Sequence, residues 1–185
     1  MMEPVVFRKK QKTDLPAKTW ALTGARERKR NVIKSFYPVK GELEEFNTKL
    51  QKKYREIEAE EVRYEEIDTR NADIVIVAYG TSARICREVL KEAKKQSLKI
   101  GMIRPITLWP FPSHCIEKIS ESVQSILTVE MSAGQMVQDV RLSVNGKCPV
   151  HFYGRTGGGI PSPKEILHKI NELIQVKEKV PCGTS

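Results

Sequence analysis

Glu130 closes the apolar run Ile126–Val129, a place where a carboxylate is expensive unless it is paired or solvated. Arg104 closes a second apolar run, and an ion pair between the two is the expected arrangement. No histidine or second acid stands near Glu130 in sequence to complete an acid/base constellation. Thr81 and Ser82 follow Gly80 at the end of a third run. A hydroxyl there can cap a helix, and a phosphate can use the same backbone N–H groups. The chain has neither G-x-G-x-x-G nor G-x-x-x-x-G-K-[ST], so the cap is the favoured reading. Arg155 and Thr156 precede Gly157-Gly158-Gly159, whose backbone can adopt conformations closed to residues with a Cβ. Just beyond, Ser162-Pro163-Lys164-Glu165 has the form of a capping box with proline at the first helical position. A glycine loop feeding a helix start beside an arginine suits an anion, or a neighbouring subunit packed closely on it. The subunit reading is favoured. Thr107 and Gln135 join these residues as interface or anion-contacting candidates.

Other chemistries find little support. His114, His151 and His168 are scattered over different segments with no metal-ligand spacing and read as structural. Cys86, Cys115, Cys148 and Cys182 lie far apart without a C-x-x-C. That spacing excludes a local zinc or iron–sulfur motif and does not resemble a disulfide framework; a reducing cytoplasm is the expected setting. No run approaches the ~18–20 uncharged apolar residues of a membrane span, and residues 1–30 lack the apolar core of a signal peptide.

The candidates must be positioned by regular elements, and these are legible. Asp73–Tyr79 is an almost unbroken apolar run of the kind that forms a parallel strand covered on both faces. A helix follows to about Lys95, with Ile85, Val89 and Leu90 inward. Leu98–Ile103, Ile126–Val129 and Val150–Tyr153 read as further strands. A proline-rich loop from Pro105 to Pro112 leads to a short helix through Ile116 and Ile119. Gln135–Val144 and Lys164–Ile174 are helical by apolar spacing. Strands alternating with helices give a three-layer α/β/α fold with a mainly parallel sheet of about five strands and right-handed crossovers. In such sheets ligands and partners meet the carboxyl ends of the strands, where the candidate residues fall.

The 185 residues carry a formal charge of +9, with 39% hydrophobic and 30% charged residues. The charge is uneven. Residues 1–40 form an extended basic strap that carries most of the excess, with a cluster at Arg26, Arg28, Lys29 and Arg30. Val5, Val6, Phe7, Trp20, Leu22, Phe36 and Tyr37 recur through the strap, which points to a protein surface more than to an electrostatic tail. Residues 41–70 hold an acidic amphipathic helix striped by Leu43, Phe46, Leu50, Tyr54 and Ile57, then a weak edge-strand pattern at Val62 and Tyr64. The α/β domain spans 71–178 and a tail 179–185. Two alternatives remain: a nucleic-acid-binding module carried by the basic strap, or a standalone small-molecule enzyme using Thr81, Glu130 and Arg155.

Four segments together resemble a known family. Asp73–Arg84 (DIVIVAYGTSAR), Ile100–Pro112 (IGMIRPITLWPFP), Thr128–Val140 (TVEMSAGQMVQDV) and Val150–Pro163 (VHFYGRTGGGIPSP) are similar to the transketolase C-terminal-type domain of 2-oxoacid:ferredoxin oxidoreductases. In these enzymes it belongs to the subunit that carries the pyrimidine-binding domain. Residues 15–70 resemble the connection between the two domains, and the 2-oxoisovalerate type is the nearest in flavour. The resemblance implies oxidative decarboxylation of a 2-oxoacid to an acyl-CoA in a complex using thiamine diphosphate, iron–sulfur clusters, CoA and ferredoxin. It implies no cofactor or metal bound by this chain and no catalytic residue within it. The expected partners are the pyrimidine-binding domain, the other subunits and a second copy of the chain, with neither nucleic acid nor membrane. The opening Met1-Met2-Glu3-Pro4 looks like the exit from a pyrimidine-binding domain, so a fragment or excised domain, inactive alone, is expected.

Overall fold

The computed structural model describes residues 16–24 and 27–178, with side chains to residue 175. Val5, Val6, Phe7, Arg26, Cys182 and the tail 179–185 lie outside the described residues. The chain divides into two units, Met1–Thr48 and Lys49–Ser185.

In the first unit, the described residues before 42 form no helix or strand. Trp20, Leu22 and Phe36 are exposed. The Tyr37 ring stacks on Phe46 with centroids 5.1 Å apart, and the Lys34 ammonium lies 4.8 Å from the centre of the Tyr37 ring. Helix α1 (Glu42–Glu60) starts here and crosses into the second unit. The helix covers the striped segment, and no residue of α1 is buried. Within the second unit, Tyr54 meets Trp109 edge-on, with ring centroids 5.5 Å apart.

The rest of the second unit is β1 (Tyr64–Ile67), β2 (Ile74–Ala78), α2 (Gly80–Lys95), β3 (Ile100–Pro105), α3 (Ser113–Ser120), β4 (Ser125–Glu130), α4 (Met136–Val144), β5 (Val150–Gly154) and α5 (Pro163–Glu178). The strands form one sheet in the order β1-β3-β2-β4-β5. β2, β3, β4 and β5 are parallel, and β1 joins β3 antiparallel at the edge. Every residue of β2 and β4 is buried, as their unbroken apolar runs require when both faces are covered.

Alternation along the strands sorts the core into two layers. Ile74, Ile76 and Ala78 face a cluster with Ile85, Val89, Ile166 and Ile170, from α2 and α5. Val75 and Val77 face the opposite cluster with Ile116, Met136 and Val140, from α3 and α4. The chain moves one way along the sheet from β2 to β3 over the first face. It returns past β2 to β4, and on to β5, over the second. All three crossovers therefore share one hand.

β3 starts two residues later than its sequence pattern suggests. Ser97 takes φ +57°, and the Leu98 N–H donates to the Ala93 carbonyl, so Leu98 still belongs to the end of α2. Gly101 sits where β3 passes the chain leaving β1: a Cβ there would lie 2.8 Å from the Asp68 carbonyl oxygen and 2.9 Å from the Thr69 Cα.

Candidate functional site

The four parallel strands bring their carboxyl ends to one edge, so the candidate residues share a rim even where they do not touch. Glu130 is the best-held of them and is fully buried. Its Oε2 accepts hydrogen bonds from the Ser132 hydroxyl (2.9 Å), the Gln135 N–H (3.1 Å) and the Met136 N–H (3.0 Å), and its Oε1 from the Val137 N–H (2.9 Å). The carboxylate thus closes the N-terminus of α4 from below, matching its charge to the unpaired amides and the positive end of the helix. Ser132 Oγ also accepts the Gly134 N–H at 3.1 Å, which ties the loop 131–135 to the same carboxylate.

The expected Glu130–Arg104 pair does not form. β2 lies between β3 and β4, and Arg104 instead reaches outward to Glu65 on β1, Nη1 to Oε2 at 3.0 Å. Arg87 grips the same carboxylate with both oxygens, at 2.9 and 2.8 Å. The Arg104 hydrogen bond, and then the charge of Arg87, hold the Glu65 carboxyl below the usual carboxylate range despite partial desolvation.

The expected cap by Thr81 or Ser82 is also corrected. α2 begins at Gly80, its N-cap is Tyr79, and no side chain caps it. Gly80 takes φ +55°, which brings the chain straight from the strand into the helix, so Thr81 and Ser82 are already inside the first turn. Thr81 is exposed and Ser82 is buried. Thr107 holds the β3–α3 loop together: its hydroxyl accepts the Arg63 N–H at 3.0 Å and donates to the Pro110 carbonyl at 2.9 Å.

The glycine loop lies open. Gly157 and Gly158 take φ of +61° and +79° with nothing within 4 Å of a notional Cβ, so glycine serves the backbone conformation here rather than a close approach within the chain. The Gly159 N–H donates to the Thr156 carbonyl at 3.0 Å. The capping box forms as its sequence predicts: the Ser162 N–H donates to Glu165 Oε2 at 2.8 Å, and the Glu165 N–H to Ser162 Oγ at 3.3 Å. Glu165 also binds Arg155 at 2.8 Å. The amide of Ser162 first, then its hydroxyl and the charge of Arg155, lower the Glu165 carboxyl from its ordinary value.

The residues that sequence reasoning passed over are apolar. Ile106, Leu108, Trp109, Met131 and Ile160 are between 41% and 54% exposed, and all sit in the loops that leave the carboxyl ends of β3, β4 and β5. Large apolar side chains in three of the strand-end loops are the available signal.

Among the described residues no group of three His, Cys, Asp or Glu could hold a metal ion. Glu130 and Glu165 already occupy the N-termini of α4 and α5. Two of the described thiols, Cys86 and Cys115, are buried. Burial, with Glu66 beside it, pushes Cys115 up to about 12, and burial alone pushes Cys86 to about 12. In the folded protein at pH 8, a disulfide reagent should leave Cys86 and Cys115 unmodified and label them only after denaturation. Mass mapping of the labelled peptides checks this.

A doubly wound sheet in the order β1-β3-β2-β4-β5 with one antiparallel edge has the transketolase C-terminal-like fold. The profile described as "Pyruvate:ferredoxin oxidoreductase core domain II" matches residues 72–166, and the chain belongs to that family. It is 40% identical over 173 residues to the ketoisovalerate oxidoreductase subunit VorB of Methanothermobacter marburgensis, covering 94% of this chain and 49% of that one. It is 37% identical over 102 residues to the 2-oxoglutarate synthase subunit KorA of the same organism, covering 55% of this chain and 27% of that one. Among solved structures it superposes on a 2-oxoglutarate:ferredoxin oxidoreductase from Magnetococcus marinus with a TM-score of 0.60 at 18% identity, covering 75% of this chain and 24% of the other. It also superposes on a split-gene transketolase, described as an inactive β4 tetramer, with a TM-score of 0.51 at 15% identity, over 62% of this chain and 42% of the other. The chain spans about half the length of the VorB relative. None of its described helices is long and apolar enough to cross a membrane.

Proposed function

We propose that this chain is a structural and interface domain of a thiamine-diphosphate-dependent 2-oxoacid:ferredoxin oxidoreductase, and that it is inactive alone. The parent reaction is the oxidative decarboxylation of a 2-oxoacid to an acyl-CoA with reduction of ferredoxin. The identity to a ketoisovalerate oxidoreductase subunit favours a branched 2-oxoacid. Thiamine diphosphate and the iron–sulfur clusters belong to other parts of the complex, which is cytoplasmic and engages neither nucleic acid nor membrane. The observation that carries this reading is the apolar rim at Ile106, Leu108, Trp109, Met131 and Ile160. Clustered exposed apolar residues mark a protein contact. Thr81, Arg104, Gln135, Arg155, Thr156 and the Gly157–Gly159 loop supply its polar border.

Co-expression with the rest of the VorB relative and its companion subunits should yield a complex that reduces ferredoxin. Ile106→Asp with Ile160→Asp should weaken that complex by ~10-fold or more, the scale of losing central apolar contacts, while leaving the unfolding midpoint of the isolated chain almost unchanged. Assembly unaffected by the double substitution would place the interface elsewhere. Micromolar binding of thiamine diphosphate to the chain alone, measured by calorimetry, would overturn the assignment of that cofactor to other domains.

A further inference from the structure

The two edges of the sheet are guarded very differently. β1 carries Glu65 and Glu66 and is flanked by Glu61, Arg63 and Asp68, the charged dressing that keeps an edge strand from pairing with another chain. β5 has none of this. From Cys148 to Gly154 there is no Asp, Glu, Lys or Arg, and all five residues of β5 are only half-buried.

The hydrogen-bonding phase of β5 is fixed by its pairing with β4. The Ile126 N–H donates to the Pro149 carbonyl, and the Arg155 N–H to the Glu130 carbonyl, within the register Ile126↔Val150 to Glu130↔Gly154. In a parallel ladder the N–H and C=O of one residue point to the same side, and the next residue points to the other. His151 and Tyr153 therefore bond to β4, while Val150, Phe152 and Gly154 direct both backbone groups outward. Among the described residues nothing pairs with these groups.

We propose that this edge is a dimerisation site for a second copy of the chain, joined antiparallel through β5 about a two-fold axis at Phe152. The outward residues are symmetric about Phe152, so this one register uses every free donor and acceptor of the edge. Phe152 exchanges both bonds with Phe152 of the second copy, and Val150 does so with Gly154 of the second copy. The side chains agree. Val150 falls opposite Gly154 of the second copy, which is covered by the Phe152 ring of its own chain, so an apolar side chain meets an apolar surface. The nearest cations stay apart, because Arg155 lies opposite Pro149 of the second copy and Lys147 falls beyond the paired segment. An isologous contact of this type closes at two copies and extends the sheet across the axis. The inference rests on β5 alone, so it stands or falls separately from the functional proposal.

Sedimentation of the purified chain from 1 to 100 µM, with hydrogen-exchange mass spectrometry of the peptide covering 148–156, tests it. The chain should pass from monomer to dimer, and exchange in 148–156 should slow in step with concentration. Val150→Pro removes an outward N–H while leaving the ladder to β4 complete, since that N–H does not bond to β4. It should weaken dimerisation at least ~10-fold with unchanged far-ultraviolet circular dichroism. A monomer throughout the range would overturn the proposal. So would a dimer whose 148–156 peptide exchanges as fast as in the monomer, or protection that does not vary with concentration, which would mean the edge is covered by residues of its own chain. The exchange measurement needs only the unmodified protein, so it decides the matter even if Val150→Pro fails to fold.

Discussion

Glu130→Ala should be among the most damaging single substitutions in the α/β unit, costing ~3–5 kcal/mol of stability, because it leaves several buried donors without a partner. The carboxylate accepts from three backbone amides and a hydroxyl, and water cannot replace it at a fully buried position. In a domain of this size that corresponds to ~10 °C or more in the unfolding midpoint. Glu130→Gln keeps the shape but has one acceptor oxygen, so its NH2 group must face an N–H. It should fall between alanine and the native residue. Thermal unfolding followed at 222 nm measures both. A loss below ~1 kcal/mol for alanine would mean that solvent reaches the α4 N-terminus and that the loop 131–135 is not held from beneath.

The second large effect is expected at Gly154, the last residue of β5. A Cβ there would collide with the carbonyl oxygen of Ser132 and with the Phe152 ring. One obstacle is backbone and the other a half-buried ring, so neither can withdraw at low cost. Overpacking of this kind destabilises by ~1–3 kcal/mol. Gly154→Ala should therefore lower the midpoint in chemical denaturation, whereas Gly157→Ala, in open space but at φ +61°, should cost only the ~1–2 kcal/mol of a left-handed backbone. Because Gly154 and Glu130 press on the same loop through Ser132, their effects should not add. A double-mutant cycle should show a coupling above ~0.5 kcal/mol, and strict additivity would separate the two.

The sequence carries the elements of this fold plainly but not their neighbours. Ile74–Ala78 announces a strand buried on both faces because the apolar run is too short for a helix and has no polar side. Ser162 and Glu165 announce a helix start because both halves of the capping box lie within one turn. Arg104 and Glu130 look like partners for the same local reason, each a charge ending an apolar run. What separates them is strand order, decided by how whole helices pack on a twisted sheet, and no local pattern encodes it. Glu130 could have been read differently. An acid at a strand end, with a glycine and a helix start within the next six residues, can reach the amides of that helix without any distant partner. The misplaced α2 cap has a similar origin, since Gly80 can enter the helix directly from the strand and the hydroxyls then arrive too late to cap it. The apolar rim was visible as Ile106, Leu108, Trp109 and Ile160, but exposure is a property of the folded chain.

The strand order has a consequence for how the molecule comes apart. β2–α2–β3 and β4–α4–β5 are each compact strand–helix–strand units whose strands lie near one another in sequence, so their loop closure costs little chain entropy. The two units meet along one line of pairing, β2 against β4, and that line is the only sheet contact between them. Partial opening should follow this seam before either half dissolves, as cooperative units of limited size do in other proteins. The amides of Ile74–Ala78 and Ser125–Glu130 that cross the seam would then report a subglobal opening, distinct from the global one reported inside each half. The strands buried most completely need not be the last to let go.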